Sequence, residues 1–111
     1  MTLTERQVGP ATVLALSGKL TLDDAGQLKE KVTSLLAAGK KQIVLNLGDV
    51  TYIDSSGLGE MVSCHTAATR ATGSIKLANV GKRAIDLLVI TKLNMVFDVH
   101  DSEKEAIASF A

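Results

Sequence analysis

Apolar and polar positions alternate at the start of the chain and then change period. Two strand-like stretches, Leu3–Val8 and Ala11–Ser17, flank Gly9-Pro10, a pair of strong turn formers, and together predict an opening hairpin. From Leu22 the apolar positions Leu22, Ala25, Leu28, Val32, Leu35 and Leu36 share one stripe of a helix that Gly39 can close. Thr21 at the cap and Asp24 three residues later make a variant of the capping box, with acids in the first turn where the helix dipole favours them. Ile43–Leu47 is nearly all apolar, as a central strand should be. A second helix is expected from Ser55 or Ser56 to Ala71, with Leu58, Met61, Val62, Cys64, Ala68 and Ala71 on one broad arc. A short strand at Ile75–Ala78, a helix around Arg83–Ile90 and a weak strand near Met95–Val99 follow. Ser102-Glu103-Lys104-Glu105 is a capping box, and Ala106, Ile107 and Phe110 give the last helix an apolar side. After the hairpin, strands and helices alternate, which indicates an α/β layer structure with some parallel pairing.

The most informative segment lies between the third strand and the second helix: Val50-Thr51-Tyr52-Ile53-Asp54-Ser55-Ser56-Gly57-Leu58-Gly59. Asp and Ser are favoured N-caps because a side-chain oxygen accepts a bond from an otherwise unpaired amide, and Gly suits a tight turn. One cap needs one oxygen, however, and here three such residues stand in a row. Two glycines then weaken the first helical turn by about 1 kcal/mol each relative to alanine. Tolerating that cost implies that something must approach the backbone closely.

Composition removes several alternatives. A chain of 111 residues is expected to form one domain, residues 1–111, large enough to bury roughly two thirds of its unfolded surface. The 12 basic and 12 acidic residues cancel, so neither a nucleic acid nor an anionic membrane is favoured as a direct partner. Cys64 is the only cysteine, which excludes an intramolecular disulfide framework and a cysteine-built zinc site and suits a reducing compartment. No apolar run approaches the roughly 18 residues of a membrane span, and Met1-Thr2-Leu3-Thr4-Glu5-Arg6 lacks a signal-peptide pattern. The chain therefore reads as cytoplasmic, with no membrane insertion.

Enzymatic readings of Asp54–Gly59 fail on spacing. A nucleophile elbow needs Gly on both sides of the serine, but Ile53 stands before Ser55, and Asp54 and Leu58 flank Ser56. A dinucleotide fingerprint needs a third glycine, yet Glu60-Met61-Val62 follows Gly59, and the next strand ends in Asn79 rather than an acid. A P-loop needs a lysine that is absent here. His65 falls in the apolar arc of its helix and reads as a partly buried packing residue; His100, beside Asp101, reads as a solvated loop residue. Neither catalysis nor a cofactor or metal is expected.

The same ten residues resemble the signature of STAS domains, and specifically of bacterial anti-sigma factor antagonists, whose motif reads close to D-S-[ST]-G-L-G after the third strand. The resemblance implies a small mixed sheet of four to five strands with about four helices packed mainly on one face. It also implies that Ser55 is phosphorylated by a partner anti-sigma factor with serine kinase activity. Asp54, Ser55, Ser56, Gly57, Leu58 and Gly59 would form the partner surface. By that likeness the unphosphorylated form binds the anti-sigma factor and frees the sigma factor, the phosphorylated form lets go, and a PP2C-type phosphatase resets the switch. One departure stands out. Many such antagonists carry Gly-Glu-[Leu/Ile]-Asp at the end of the second strand, whereas this chain has Gly18-Lys19-Leu20-Thr21 and lacks both acids. The alternative is a STAS module that docks on a different switching kinase or on an ABC-type lipid transporter, without sigma-factor control.

Overall fold

The computed structural model describes residues 1–24 and 26–110. The hairpin forms as expected: β1 (Thr2–Val8) and β2 (Ala11–Leu20) pair antiparallel with Val8 opposite Ala11, and Gly9 supplies the positive φ of +57° that the two-residue turn requires. β3 (Gln42–Ile53), β4 (Ser74–Ala78) and β5 (Asp98–His100) then add in parallel, giving a five-stranded mixed sheet in sequence order with β3 at its centre. Each parallel step requires a crossover, which α1 (Gln27–Ala37), α2 (Ser55–Arg70) and α3 (Lys82–Ile90) supply; α4 (Glu103–Ala108) ends the fold.

Alternation along the strands divides the core between two faces. Leu14 and Leu16 of β2, Ile43, Leu45 and Leu47 of β3, and Ile75 and Leu77 of β4 meet the apolar faces of α1, α2 and α3. On the other face Val13, Val44 and Ala78 are covered by Ala106 of α4, with Ile107 and Phe110 packed against them. Three helices thus share one face and the shortest helix closes the other, as the resemblance implied.

Several boundaries differ from the sequence reading. β2 and β3 both run past their expected ends because they continue to pair with each other as far as Leu20 and Ile53, through two irregularities of register; Gly18, at φ +89°, takes the bend. The helix expected from Leu22 begins only at Gln27. Leu22–Asp24 is a 3₁₀ turn, Leu22 is 66% exposed rather than part of the buried stripe, and Ala25 lies outside the described residues. Thr21 does not cap α1, whose N-cap is Gly26 without a side-chain bond. The cap comes from another helix instead: Glu60 of α2 accepts bonds from the Gly26 and Leu28 amides, the latter at 3.1 Å. The strand expected near Met95–Val99 is shifted to Asp98–His100, with Leu93–Met95 in a 3₁₀ turn and Met95 84% exposed. Gly39, at φ +83°, does close α1, with the Lys40 amide bonded to the Leu35 carbonyl at 2.9 Å.

Candidate functional site

The end of β2 and the end of β3 lie side by side, with Leu20 paired to Ile53, so the chain leaves β3 directly beside the turn that follows β2. Asp54 is the first residue past the strand. Its extended backbone (φ −93°, ψ −179°) makes it the N-cap of α2. The carboxylate serves two segments at once: Oδ1 accepts from the Gly57 amide at 2.7 Å and Oδ2 accepts from the Leu22 amide at 3.1 Å. The Asp54 amide donates to the Leu20 carbonyl at 3.2 Å. The residue therefore ties β2, the turn after it and α2 together, and Leu22, which it recruits, is pulled out of the helical stripe.

With Asp54 as the cap, the serines are left without that task. Ser55 and Ser56 occupy the first two positions of α2, both are exposed, and neither hydroxyl has a hydrogen-bond partner among the described residues. The two glycines separate in role. A Cβ on Gly57 would lie 2.2 Å from the Leu20 carbonyl oxygen and 2.9 Å from Leu20 Cγ, so the first turn of α2 sits against β2 only because position 57 has no side chain. The close approach expected from the sequence is, at this residue, internal to the fold. Gly59 is exposed, and a Cβ there would meet nothing within 4 Å. Leu58 points the other way, buried at 7% exposure in the main core.

Of the six residues anticipated as a partner surface, the structure thus presents Ser55, Ser56 and Gly59 outward, leaves Asp54 half-buried, and places Gly57 and Leu58 inside. Chemically this is an exposed pair of hydroxyls at a helix N-terminus, where unpaired amides and the dipole favour an anion. Glu60 escaped the sequence reading because its two partners lie more than thirty positions earlier in the chain. The S-S-G-L-G-E run gives no sign that its acid caps a different helix.

The histidines stay apart from this site. His65 lies ten residues along α2 from Ser55, about 15 Å of helix axis. It is half-buried and packs edge-on against Phe97, with ring centroids 5.6 Å apart. His100 differs from expectation: it is half-buried in β5, with Nε2 3.1 Å from Asp98 and 3.3 Å from Ser109 Oγ. Both contacts fall on the same ring nitrogen, which is not the arrangement of a proton relay. Burial, helped by Glu60, pushes the Cys64 thiol up to about 12, so it stays neutral and unreactive at physiological pH. Among the described residues no group of three His, Cys, Asp or Glu side chains is placed to hold a metal, and no helix is long and apolar enough to cross a membrane.

Comparisons with known proteins converge on this fold and on one family. A family model for the STAS domain matches residues 3–106. The anti-sigma-B factor antagonist of Bacillus subtilis is 34% identical over 84 residues, covering 76% of each chain. Among solved structures, TM1081 of Thermotoga maritima superposes with a TM-score of 0.90 at 25% identity, covering 96% of this chain and 92% of that one. The Bacillus anti-sigma factor antagonist SpoIIAA matches in its unphosphorylated form with a TM-score of 0.75 at 21% identity, covering 98% of this chain and 97% of that one. Its phosphorylated form matches at 0.76 and 20%, covering 99% and 100%. At that identity SpoIIAA supports the fold alone.

Proposed function

Because the chain belongs to the STAS domain family, we propose that it is an anti-sigma factor antagonist working as a phosphorylation-controlled partner switch. The unphosphorylated form binds an anti-sigma factor with serine kinase activity, phosphorylation of Ser55 releases it, and a PP2C-type phosphatase restores binding. The observation that carries this reading is the division of labour at the start of α2: Asp54 does the capping, so the exposed Ser55 hydroxyl can be modified without removing a bond that holds the fold. The names of the relatives, anti-sigma factor antagonists, support the same role.

A phosphate on Ser55 would carry about −1.5 to −2 charge at a helix N-terminus, where the domain tolerates an anion. A partner surface fitted to a small hydroxyl would not. Losing about 3 kcal/mol of binding lowers affinity some hundredfold, enough for exchange of partners. The exposed Lys19, in register with Tyr52 where many antagonists carry an acid, supports the second reading, a module docked on a different switching kinase or an ABC-type lipid transporter.

The test combines purified protein, the candidate kinase and ATP with site-resolved mass spectrometry. Ser55 is expected to carry the phosphate. Ser55→Ala should keep partner binding and lose its sensitivity to ATP, whereas Ser55→Asp should weaken binding at least about tenfold with little change in melting temperature. Label on Ser56, or a stable complex in which neither serine is labelled, would contradict the assignment and leave the docking module as the better reading.

A further inference from the structure

β4 stops short of the end of β3. Its last pairing is Asn46 with Ala78, after which Asn79 turns away at φ +55°, while β3 continues to Ile53. From Asp49 onward the β4-side edge of β3 has no strand partner among the described residues. The first turn of α3 stands off from this edge. Between them lies a groove of about 470 Å³, with Val50, Tyr52 and Ile53 on one wall and Lys82, Arg83 and Leu87 on the other.

Three properties of the groove specify its occupant. An unpaired strand edge presents amides and carbonyls in a row, which an extended chain satisfies and a folded surface does not. The walls are mainly apolar, with the Thr51 and Tyr52 hydroxyls and two cations: Lys82 and Arg83 are exposed and make no ion pair among the described residues, and no acid lines the groove, Asp86 lying one turn further along α3. An occupant should therefore alternate apolar side chains with carboxylates. The wall also runs without a break into Asp54 and Ser55, so whatever fills the groove is held beside the switch serine.

We propose that this groove receives an extended, apolar and acidic segment of the same kinase that acts on Ser55, added to the free edge of β3 as a further strand. This rests on the reading of Ser55 given above and extends it. Docking in the groove would present Ser55 to the kinase, and a phosphate on Ser55 would place concentrated negative charge beside an acidic segment, adding repulsion to the steric mismatch.

The probe is the purified anti-sigma factor kinase that labels Ser55. Against it, the double variant Lys82→Glu, Arg83→Glu should bind at least about tenfold more weakly at physiological salt, with the difference shrinking as salt is raised. Its melting temperature should be unchanged, because acids are favoured in the first turn of a helix. Hydrogen exchange of the wild-type complex should show added protection of amides within residues 49–53. Wild-type affinity in the double variant, or unchanged exchange across 49–53, overturns the groove while the labelling of Ser55 stands. If no kinase that binds the wild-type protein labels Ser55, the reading of the switch falls and the groove proposal falls with it.

Discussion

The starts of α2 and α4 use the same residue types for opposite ends. At α4 the N-cap is a serine, and its hydroxyl is consumed: Ser102 Oγ accepts from the Glu105 amide at 3.1 Å. At α2 the N-cap is Asp54, and the two serines after it fall inside the helix with hydroxyls facing solvent. A shift of one position relative to the cap converts serine from a structural acceptor into an exposed hydroxyl with no bond to the fold among the described residues. The surroundings differ in the same sense. Glu103 of α4 accepts from Arg6 and, at 2.5 Å, from the Asn46 side-chain Nδ2, whereas Ser55 and Ser56 are left unbonded among the described residues. One helix start is fastened by its side chains; the other is fastened behind its side chains, by Asp54 and by the contact at Gly57.

The largest break in this contrast comes from that contact. Gly57→Ala places a methyl group 2.2 Å from the Leu20 carbonyl oxygen, and α2 must move off β2. The expected loss is about 3 kcal/mol, read by urea unfolding, with partner binding impaired as well. Gly59→Ala, where the space is open, should change stability by less than about 1 kcal/mol, and it gains helix propensity.

Next come the caps. Asp54→Ala should cost about 2 kcal/mol, since it removes the α2 cap and also orphans the Leu22 amide, against about 1 kcal/mol for Ser102→Ala at α4. Ser55→Ala and Ser56→Ala should each stay within about 0.5 kcal/mol of wild type, because neither hydroxyl caps the helix. A cost for Ser56→Ala matching that of Ser102→Ala would erase the contrast between the two helix starts.

A small, pH-dependent effect lies near α4. A bond from Lys76, and then one from His100, hold the Asp98 carboxyl below its ordinary value of 3.8. Its folded value is depressed, so the interaction stabilises the protein above about pH 4 and is lost as pH falls through the lowered folded value. The Asp98 side chain is 53% exposed, and solvent screening keeps the contribution at about 1 kcal/mol or less. Asp98→Asn should slightly lower stability at neutral pH and flatten the acid limb of a stability–pH profile. The α2 variants should leave that limb unchanged.

Much of this architecture was legible in the order of apolar residues. The change of period at Leu28–Leu36, the apolar run Ile43–Leu47 and the serine cap at Ser102 are local signals, and local hydrogen bonding and burial suffice to realise them. The D-S-S-G-L-G run was legible as a candidate site because it holds more polar side chains than a single cap can use. Which of them caps was not legible, because Asp54, Ser55 and Ser56 are all competent and the choice depends on where β3 ends. That end is set by pairing with β2 as far as Leu20–Ile53, a contact between residues more than thirty positions apart.

Tertiary contacts likewise decided matters that local propensity would have settled otherwise. Leu22 belongs by period to the stripe of α1, yet the Asp54 carboxylate takes its amide and leaves its side chain exposed. After α2, Thr72 rather than Gly73 takes the positive φ, +59°, although glycine adopts it at far lower cost. A Cβ on residue 73 would lie 2.8 Å from the Lys41 carbonyl oxygen, so the glycine is needed for that approach and its neighbour bears the strain. The sequence by itself determined the kinds of element, their order and the stretch proposed to carry the switch, since these follow from side-chain periodicity and hydrogen-bonding capacity within a few residues. The tertiary structure alone decided which oxygen caps α2, why Gly57 and Gly73 are needed and where β3 keeps an edge free of other strands among the described residues, because each depends on atoms that only folding brings together.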